Sequence, residues 1–133
     1  MRDAPPAGAA AAITGTVPHA RTAAALAGPG EALPPVFGTP FMIADMERAC
    51  AAILAPLLRP GEVSVGVKIE VAHEAPTPGG VSVGAEATFT GQDGPLYWFD
   101  VSATDPGGTI GRGRIARAIV PEDKLIAKAE TRR

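Results

Sequence analysis

Residues 39 to 58 read Thr39-Pro40-Phe41-Met42-Ile43-Ala44-Asp45-Met46-Glu47-Arg48-Ala49-Cys50-Ala51-Ala52-Ile53-Leu54-Ala55-Pro56-Leu57-Leu58, and this stretch decides the fold. It reads as one long helix. Thr39 suits the N-cap, and Pro40 suits the first helical position, where no amide hydrogen bond is lost. Arg59-Pro60-Gly61 supplies the stop. At about 100° per residue, Asp45, Arg48 and Arg59 fall on one arc, with Phe41 and Ala52 between them. The opposite arc holds Ile43, Glu47, Cys50, Leu54, Leu57 and Leu58. Glu47 thus interrupts the apolar stripe, where a carboxylate costs several kcal/mol unless it is paired, hydrogen-bonded or neutralised. That misfit is a functional clue.

Upstream of the helix, residues 1 to 12 read as a flexible Ala/Pro-rich tail, and residues 13 to 133 as a single domain. Ile13 to His19 alternates and predicts a first strand, ending or lying at an edge because of Pro18. Thr22 to Pro35 is rich in Ala, Gly and Pro, with a helical turn at Thr22 to Leu26, and is a candidate lid or entrance segment.

Downstream, Glu62 to Ala75 alternates, with Val63, Val65, Val67, Ile69, Val71 and His73 on one face. Pro76-Thr77-Pro78-Gly79-Gly80 marks a turn, and Val81 to Thr90 is a strand with Val81, Val83, Ala85, Ala87 and Phe89 on one face. Gly91-Gln92-Asp93-Gly94 is a hairpin turn, and Pro95 to Thr104 returns from it. After Asp105-Pro106-Gly107-Gly108, the strand Thr109 to Val120 sets Ile115, Arg117 and Ile119 on one side, with Arg112 and Arg114 on the other. Pro121-Glu122-Asp123 opens a short polar helix. One strand, one long helix and a meander of four strands predict an α+β domain whose helix packs its stripe on an antiparallel sheet.

Composition narrows the function. The chain has 133 residues, 46% hydrophobic and 20% charged, which suits one globular domain rather than a disordered chain. A net charge of −2 and 5% aromatic residues lack the basic stripe of a nucleic-acid binder. The longest apolar run, Ala49 to Leu58, is about half of what a bilayer requires and contains Pro56, so no membrane partner is expected. The start lacks the apolar core of a signal peptide. The single cysteine, Cys50, excludes an internal disulfide and a cysteine metal cluster, so no metal site is expected, and a cytoplasmic location is. In the helix stripe Cys50 reads as a buried, inert thiol.

Glu47, His73 and Arg117 each interrupt the apolar face of a different element. A carboxylate and an imidazole meeting at a helix–sheet interface suit acyl transfer, the carboxylate as nucleophile or base and the histidine as acid or base. His73 is also read as an ordinary strand-end residue, Arg117 as a structural bridge to Glu47, and Thr39 as only a cap.

The motifs Val36-Phe37-Gly38-Thr39-Pro40-Phe41-Met42, Met46-Glu47-Arg48-Ala49-Cys50, Ala55-Pro56-Leu57-Leu58-Arg59-Pro60-Gly61-Glu62, and Val71-Ala72-His73 with Thr77-Pro78-Gly79 resemble the fluoroacetyl-CoA thioesterase and its hotdog-fold relatives. The similarity runs from about Val17 to Lys128, with a Thr, a Glu eight residues on and a His twenty-six beyond it. The resemblance implies a hotdog fold, a curved antiparallel sheet wrapped around the long helix, and a two-fold homodimer with active sites at its interface. It implies Thr39, Glu47 and His73 as the catalytic set, and Gly66 lining the acyl pocket with Arg117 nearby. Leu33 and Phe37 complete the substrate-side residues.

The implied activity is hydrolysis of a small acyl-CoA, with no cofactor beyond the coenzyme A of the substrate. Arg112 and Arg114, with Lys124 and Lys128, are candidates for the CoA phosphates. The loop before the helix departs from the pattern. It is shorter, Gly30 and Leu33 stand where the fluoroacetyl enzyme has aromatic residues, and Arg48 stands where it has a tryptophan. Fluoroacetyl specificity is therefore not expected to carry over. The alternatives from other classes are a non-catalytic hotdog module binding acyl-CoA or a small apolar ligand, and a hotdog dehydratase or hydratase.

Overall fold

A computed structural model describes residues 2–133. Its elements are β1 (Ala10–Thr16), α1 (Thr39–Leu54), β2 (Glu62–His73), β3 (Ser82–Asp93), β4 (Leu96–Asp105), β5 (Gly108–Pro121) and α2 (Glu122–Glu130). Short 3-10 turns occupy His19–Arg21, Ala23–Leu26 and Ala55–Leu57. The five strands form one antiparallel sheet in the order β1-β3-β4-β5-β2, with α1 packed on one face. This is the expected α+β hotdog arrangement.

The core is made where the periodicities meet. The inward residues of β3 (Val83, Ala85, Ala87, Phe89) and β4 (Tyr97, Phe99, Val101, Ala103) are all buried. Against them lies the α1 stripe of Met42, Met46, Ala49, Cys50, Ile53 and Leu54. Alanines on the sheet leave room for methionines on the helix, which fill the gap without strain. At Gly111 on β5 a Cβ would lie 2.7 Å from Met42 Sδ, so glycine is what lets the start of α1 sit down on the sheet.

The structure corrects several expectations. Gly38, in extended conformation, is the residue before the helix, and Thr39 is already helical, which releases its hydroxyl from capping. α1 stops at Leu54 and tightens into a 3-10 turn at Ala55–Leu57, because Pro56 has no amide hydrogen to continue the ladder. β1 begins at Ala10 and ends at Thr16, three residues earlier at each end than expected.

The tail assigned to residues 1 to 12 is therefore partly strand. Upstream of the strand, Arg2 donates to Leu57 O and to both carboxylate oxygens of Glu62 (2.8, 2.7 and 2.5 Å), and Pro5 is buried. The segment is strapped over the C-terminal end of α1.

The strand order also differs from a four-strand meander. Only β3, β4 and β5 are a meander; β2 pairs with β5 at the far edge. The Pro76–Gly80 segment thus crosses the end of the sheet rather than turning a hairpin. It is held there by Glu74 N and Ala75 N on Ile110 O, and by the buried Thr77, whose hydroxyl donates to Asp105 Oδ2 at 2.7 Å.

The uniform aliphatic face expected of β2 is broken by a bulge. The register slips between Gly66 and Lys68, leaving Val67 unpaired, so the inward face switches from even to odd positions. Gly66 lies opposite Arg117 and looks toward the helix, as do Ile69, Val71 and His73 beyond the bulge. Val63 and Val65 turn to the other face. As an edge strand β2 leaves Val67 and Ile69 49% and 45% exposed.

Candidate active site

Two polar stations lie along the edge where α1 passes β2. The first joins the first turn of α1 to the last residue of β2. Thr39 Oγ1 and His73 Nδ1 share a hydrogen bond of 2.7 Å. When Thr39 donates, the ring proton resides on Nε2. His73 Nε2 is buried and has no partner among the described residues. Such a nitrogen is rare in a folded protein and is free to bond a ligand or a water. Phe37, Val36, Ala75 and Pro76 line a cleft of about 410 Å³ beside Thr39 and His73.

The second station is Glu47 with Arg117. Arg117, 7% exposed at the centre of β5, donates from one guanidinium nitrogen to Glu47 Oε2 at 2.8 Å and from another to Ser64 O at 2.8 Å. Ser64 Oγ also accepts from Arg117, at 3.2 and 3.3 Å. Four donations on three acceptor atoms fix the fork, and the fork fixes the carboxylate. Arg117 bonds Oε2, and Oε1 has no hydrogen bond among the described residues. At Gly66 a Cβ would lie 2.6 Å from that same Oε2, so only glycine lets the strand pass so close to the acid.

Glu47 does not lie inside the buried stripe, as its helical phase suggested. Its side chain is 30% exposed, at the border of the stripe facing β2. The buried carboxylate is Asp45, 5% exposed, which the same phase placed on the polar arc. Asp45 is neutralised by Arg21 at 2.7 Å, with Arg48 at 3.6 Å. The reason is that the sheet and the loop before α1 together wrap more of the helix than a single stripe.

Of the residues singled out from sequence, Thr39 meets His73, and Glu47 meets Arg117 and Gly66. The two stations are not bonded to each other among the described residues. Eight residues of helix separate Thr39 from Glu47, about 12 Å along the axis. Phe37 is buried in the cleft wall, whereas Leu33 is 44% exposed on the loop before α1. Ser64 was missed, because the bulge that brings it inward is invisible to a period-two pattern.

Arg112 and Arg114 are exposed on the outer face, as expected. Arg112 bonds Glu74 at 2.9 Å, and Arg114 lies 4.3 Å from the centre of the Trp98 ring. Cys50 is buried near Glu47 and Arg117, and burial pushes its thiol up to about 12, which keeps it protonated and inert.

An antiparallel sheet packed on one long helix, with a carboxylate and an imidazole along the free edge of that helix, is the plan of a hotdog-fold thioesterase. The sequence profile of the fluoroacetyl-CoA-specific thioesterases, FlK, matches residues 17–123. A fluoroacetyl-CoA thioesterase of Streptantibioticus cattleyicolor is 42% identical over 95 residues, 71% of this chain and 68% of that protein. A crystal structure of FlK superposes with a TM-score of 0.91 at 34% identity, covering 98% of this chain and 99% of the other. A Thermus thermophilus thioesterase-superfamily protein superposes at 0.87 with 28% identity, over 96% and 93% of the two chains. The chain belongs to the fluoroacetyl-CoA-specific thioesterase family, and is a thioester hydrolase. Among the described residues, no helix is long and apolar enough to cross a membrane.

Proposed function

We propose that the protein hydrolyses small acyl-CoA thioesters, with Glu47, His73 and Thr39 as the catalytic set. The observation that carries the reading is His73: one ring nitrogen is held by Thr39 while the other is buried and unpartnered beside the cleft. Relatives support the substrate class, since a point mutant of FlK has been crystallised with fluoroacetate and CoA. Glu47, through Oε1, adds to the thioester carbonyl or takes a proton from the water that does. The tetrahedral intermediate then collapses, the C–S bond breaks, and the departing CoA sulfur takes the proton from His73 Nε2. If an acyl–Glu47 anhydride forms, water cleaves it, the carboxylate returns and a proton of that water restores His73; in the general-base route the proton taken by Glu47 passes to His73. Arg117 and Gly66 hold Glu47 in place. No cofactor enters this scheme; coenzyme A is carried by the substrate, and a cytoplasmic location, where acyl-CoA esters are made, suits a chain with one unpaired cysteine.

The active unit in this reading is a homodimer. The exposed β2 edge, with Val67 and Ile69 bare, is an unpaired ladder of the kind that another strand completes. If the two-fold axis of such a β2–β2 pairing falls between Ile69 and Glu70, the Gly66 of one protomer stands level with the partner's His73. Glu47 then meets an imidazole that its own chain keeps about 12 Å away along the helix.

A small acyl group suits a cleft with Phe37 as one wall, and fluoroacetyl specificity is not part of the proposal. Gly30 has φ +80°, where an aromatic side chain would be strained, and Leu33 points to solvent.

Thiol release from a panel of acyl-CoAs tests the reading. Glu47→Gln and His73→Ala are each expected to cut kcat by about 10²–10⁴ while the dimer stays folded. Near-normal turnover in either variant would sink the assignment.

A further inference from the structure

The cleft wall is fastened to the helix by a second carboxylate–guanidinium pair that the hydrolytic steps do not use. Asp45 lies in the buried stripe of α1, two residues before Glu47 and on a different face. A carboxylate there is tolerated only with a partner. Arg21 supplies it from the 3-10 turn His19–Arg21, with its guanidinium on Asp45 Oδ2 at 2.7 Å and on Phe41 O at 3.3 Å. The guanidinium carbon also stands 5.3 Å from the centre of the Phe37 ring and 5.8 Å from that of Phe41. A guanidinium stacks on an aromatic face while hydrogen bonding at its edge, which an ammonium does not.

The backbone around this pair is zipped. Gly38 N donates to Arg21 O at 3.0 Å, Ala23 N to Val36 O at 2.8 Å and Ala24 N to Pro34 O at 2.8 Å. A Cβ on Gly38 would fall 2.9 Å from the Phe41 ring and 3.2 Å from Ala23 N, so the two arms of the loop close on the helix start without slack. Phe37, held in this clasp, is a wall of the same cleft as Thr39 and His73. An acyl chain that lengthens toward this wall meets Phe37, and displacing Phe37 disturbs the Arg21 guanidinium that stands over its ring and neutralises Asp45.

We infer that Arg21 and Asp45 are a positioning pair that sets which acyl groups the enzyme accepts, by holding Phe37 as an unyielding wall beside Thr39 and His73. The inference rests on the thioesterase reading. Neither side chain touches the reacting atoms; both act through Phe37.

The test compares kcat/KM for acetyl-CoA and hexanoyl-CoA in the wild-type dimer and in Arg21→Ala, Asp45→Asn and Arg21→Lys. With the clasp released, Arg21→Ala and Asp45→Asn raise the hexanoyl-to-acetyl ratio by about tenfold or more, chiefly through KM. Arg21→Lys keeps the charge on Asp45 but loses the flat stack on Phe37, and raises the ratio by about threefold. A ratio that stays within about twofold of wild type in the variants that fold overturns the inference, because a merely structural bridge lowers both substrates together. Should the first two variants not fold, Arg21→Lys decides alone.

Amide hydrogen exchange separates this failure from that of the thioesterase reading. Faster exchange at Ala23, Ala24 and Gly38, with the sheet amides unchanged, is expected in the variants even if the wild type cleaves no acyl-CoA in the panel. In that case the thioesterase reading has failed and the clasp still holds; unchanged exchange at these three amides overturns the clasp whatever the activity.

Discussion

Asp45 and Glu47 are two carboxylates two residues apart on one helix, each closely bonded to an arginine from another segment, and they have opposite characters. Asp45 is closed in. Its partner Arg21 comes from the preceding loop, and aromatic rings cover the pair. Glu47 is only half closed, with Arg117 behind it, one oxygen engaged and the edge of β2 in front. A salt bridge whose carboxylate is sealed can only hold parts together, whereas one whose carboxylate keeps a free oxygen at an accessible edge is open to a substrate. Burial by itself is thus a poor guide to which acid is available to a substrate; the position of the free lone pairs is a better one.

The sharpest way to break this contrast is to neutralise each acid in turn. Glu47→Gln is expected to lose about 10³-fold in kcat with the unfolding midpoint almost unchanged, because the amide still accepts from Arg117. Arg21→Ala, in contrast, strands Asp45 and is expected to cost about 2–3 kcal/mol in denaturant unfolding, below the range for fully buried pairs because Arg21 is itself partly exposed. If the two substitutions exchange effects, the division between them is wrong.

A smaller change tests the geometry at Glu47. Gly66→Ala puts a methyl group 2.6 Å from Glu47 Oε2, and is expected to lower kcat by about 10–100-fold as the carboxylate is pushed off Arg117. An alanine variant of full activity would mean that Glu47 need not be so placed.

A third ion pair sets the baseline. The Arg2 guanidinium, then the Arg59 amide, hold the Glu62 carboxyl below its usual range. A carboxyl with a lowered folded-state pKa adds stability above its unfolded value and loses it as pH falls through the folded one. The difference in unfolding midpoint between wild type and Glu62→Gln is therefore expected at neutral pH and should vanish on acidification. A difference that grows in acid would contradict the pair.

The least effect is expected at Cys50. With its thiol pushed up to about 12, it should stay unlabelled by iodoacetamide at pH 8 in the native protein and react on unfolding. Rapid native labelling would show the helix stripe to be open.

The residues that local rules govern were legible before any coordinates. The helix from Thr39 follows from Pro40 in its first turn and its apolar period, and β3 and β4 follow from alternation between glycine- and proline-marked turns. Glu47, His73 and Arg117 stood out as polar residues on apolar faces, and they do line the α1–β2 edge. What could not be read was the phase of burial around α1. Asp45 looked solvent-facing because the sequence does not reveal that the loop from Pro18 to Phe37 folds back over that arc. Thr39 looked like a cap because a threonine before a proline usually is one, and its partner His73 is thirty-four residues away.

By itself, then, the chain determined its elements and most of the polar residues that line the α1–β2 edge, since propensity, period and turn chemistry act over a few neighbours. The tertiary structure alone decided that β2 lies beside β5, that a bulge at Val67 turns Gly66 and Ser64 toward the acid, and which carboxylate is sealed and which is free. Those outcomes depend on packing between segments distant in sequence. Strand order, register slips and burial are set by the whole sheet competing for the helix, and no local pattern records that competition.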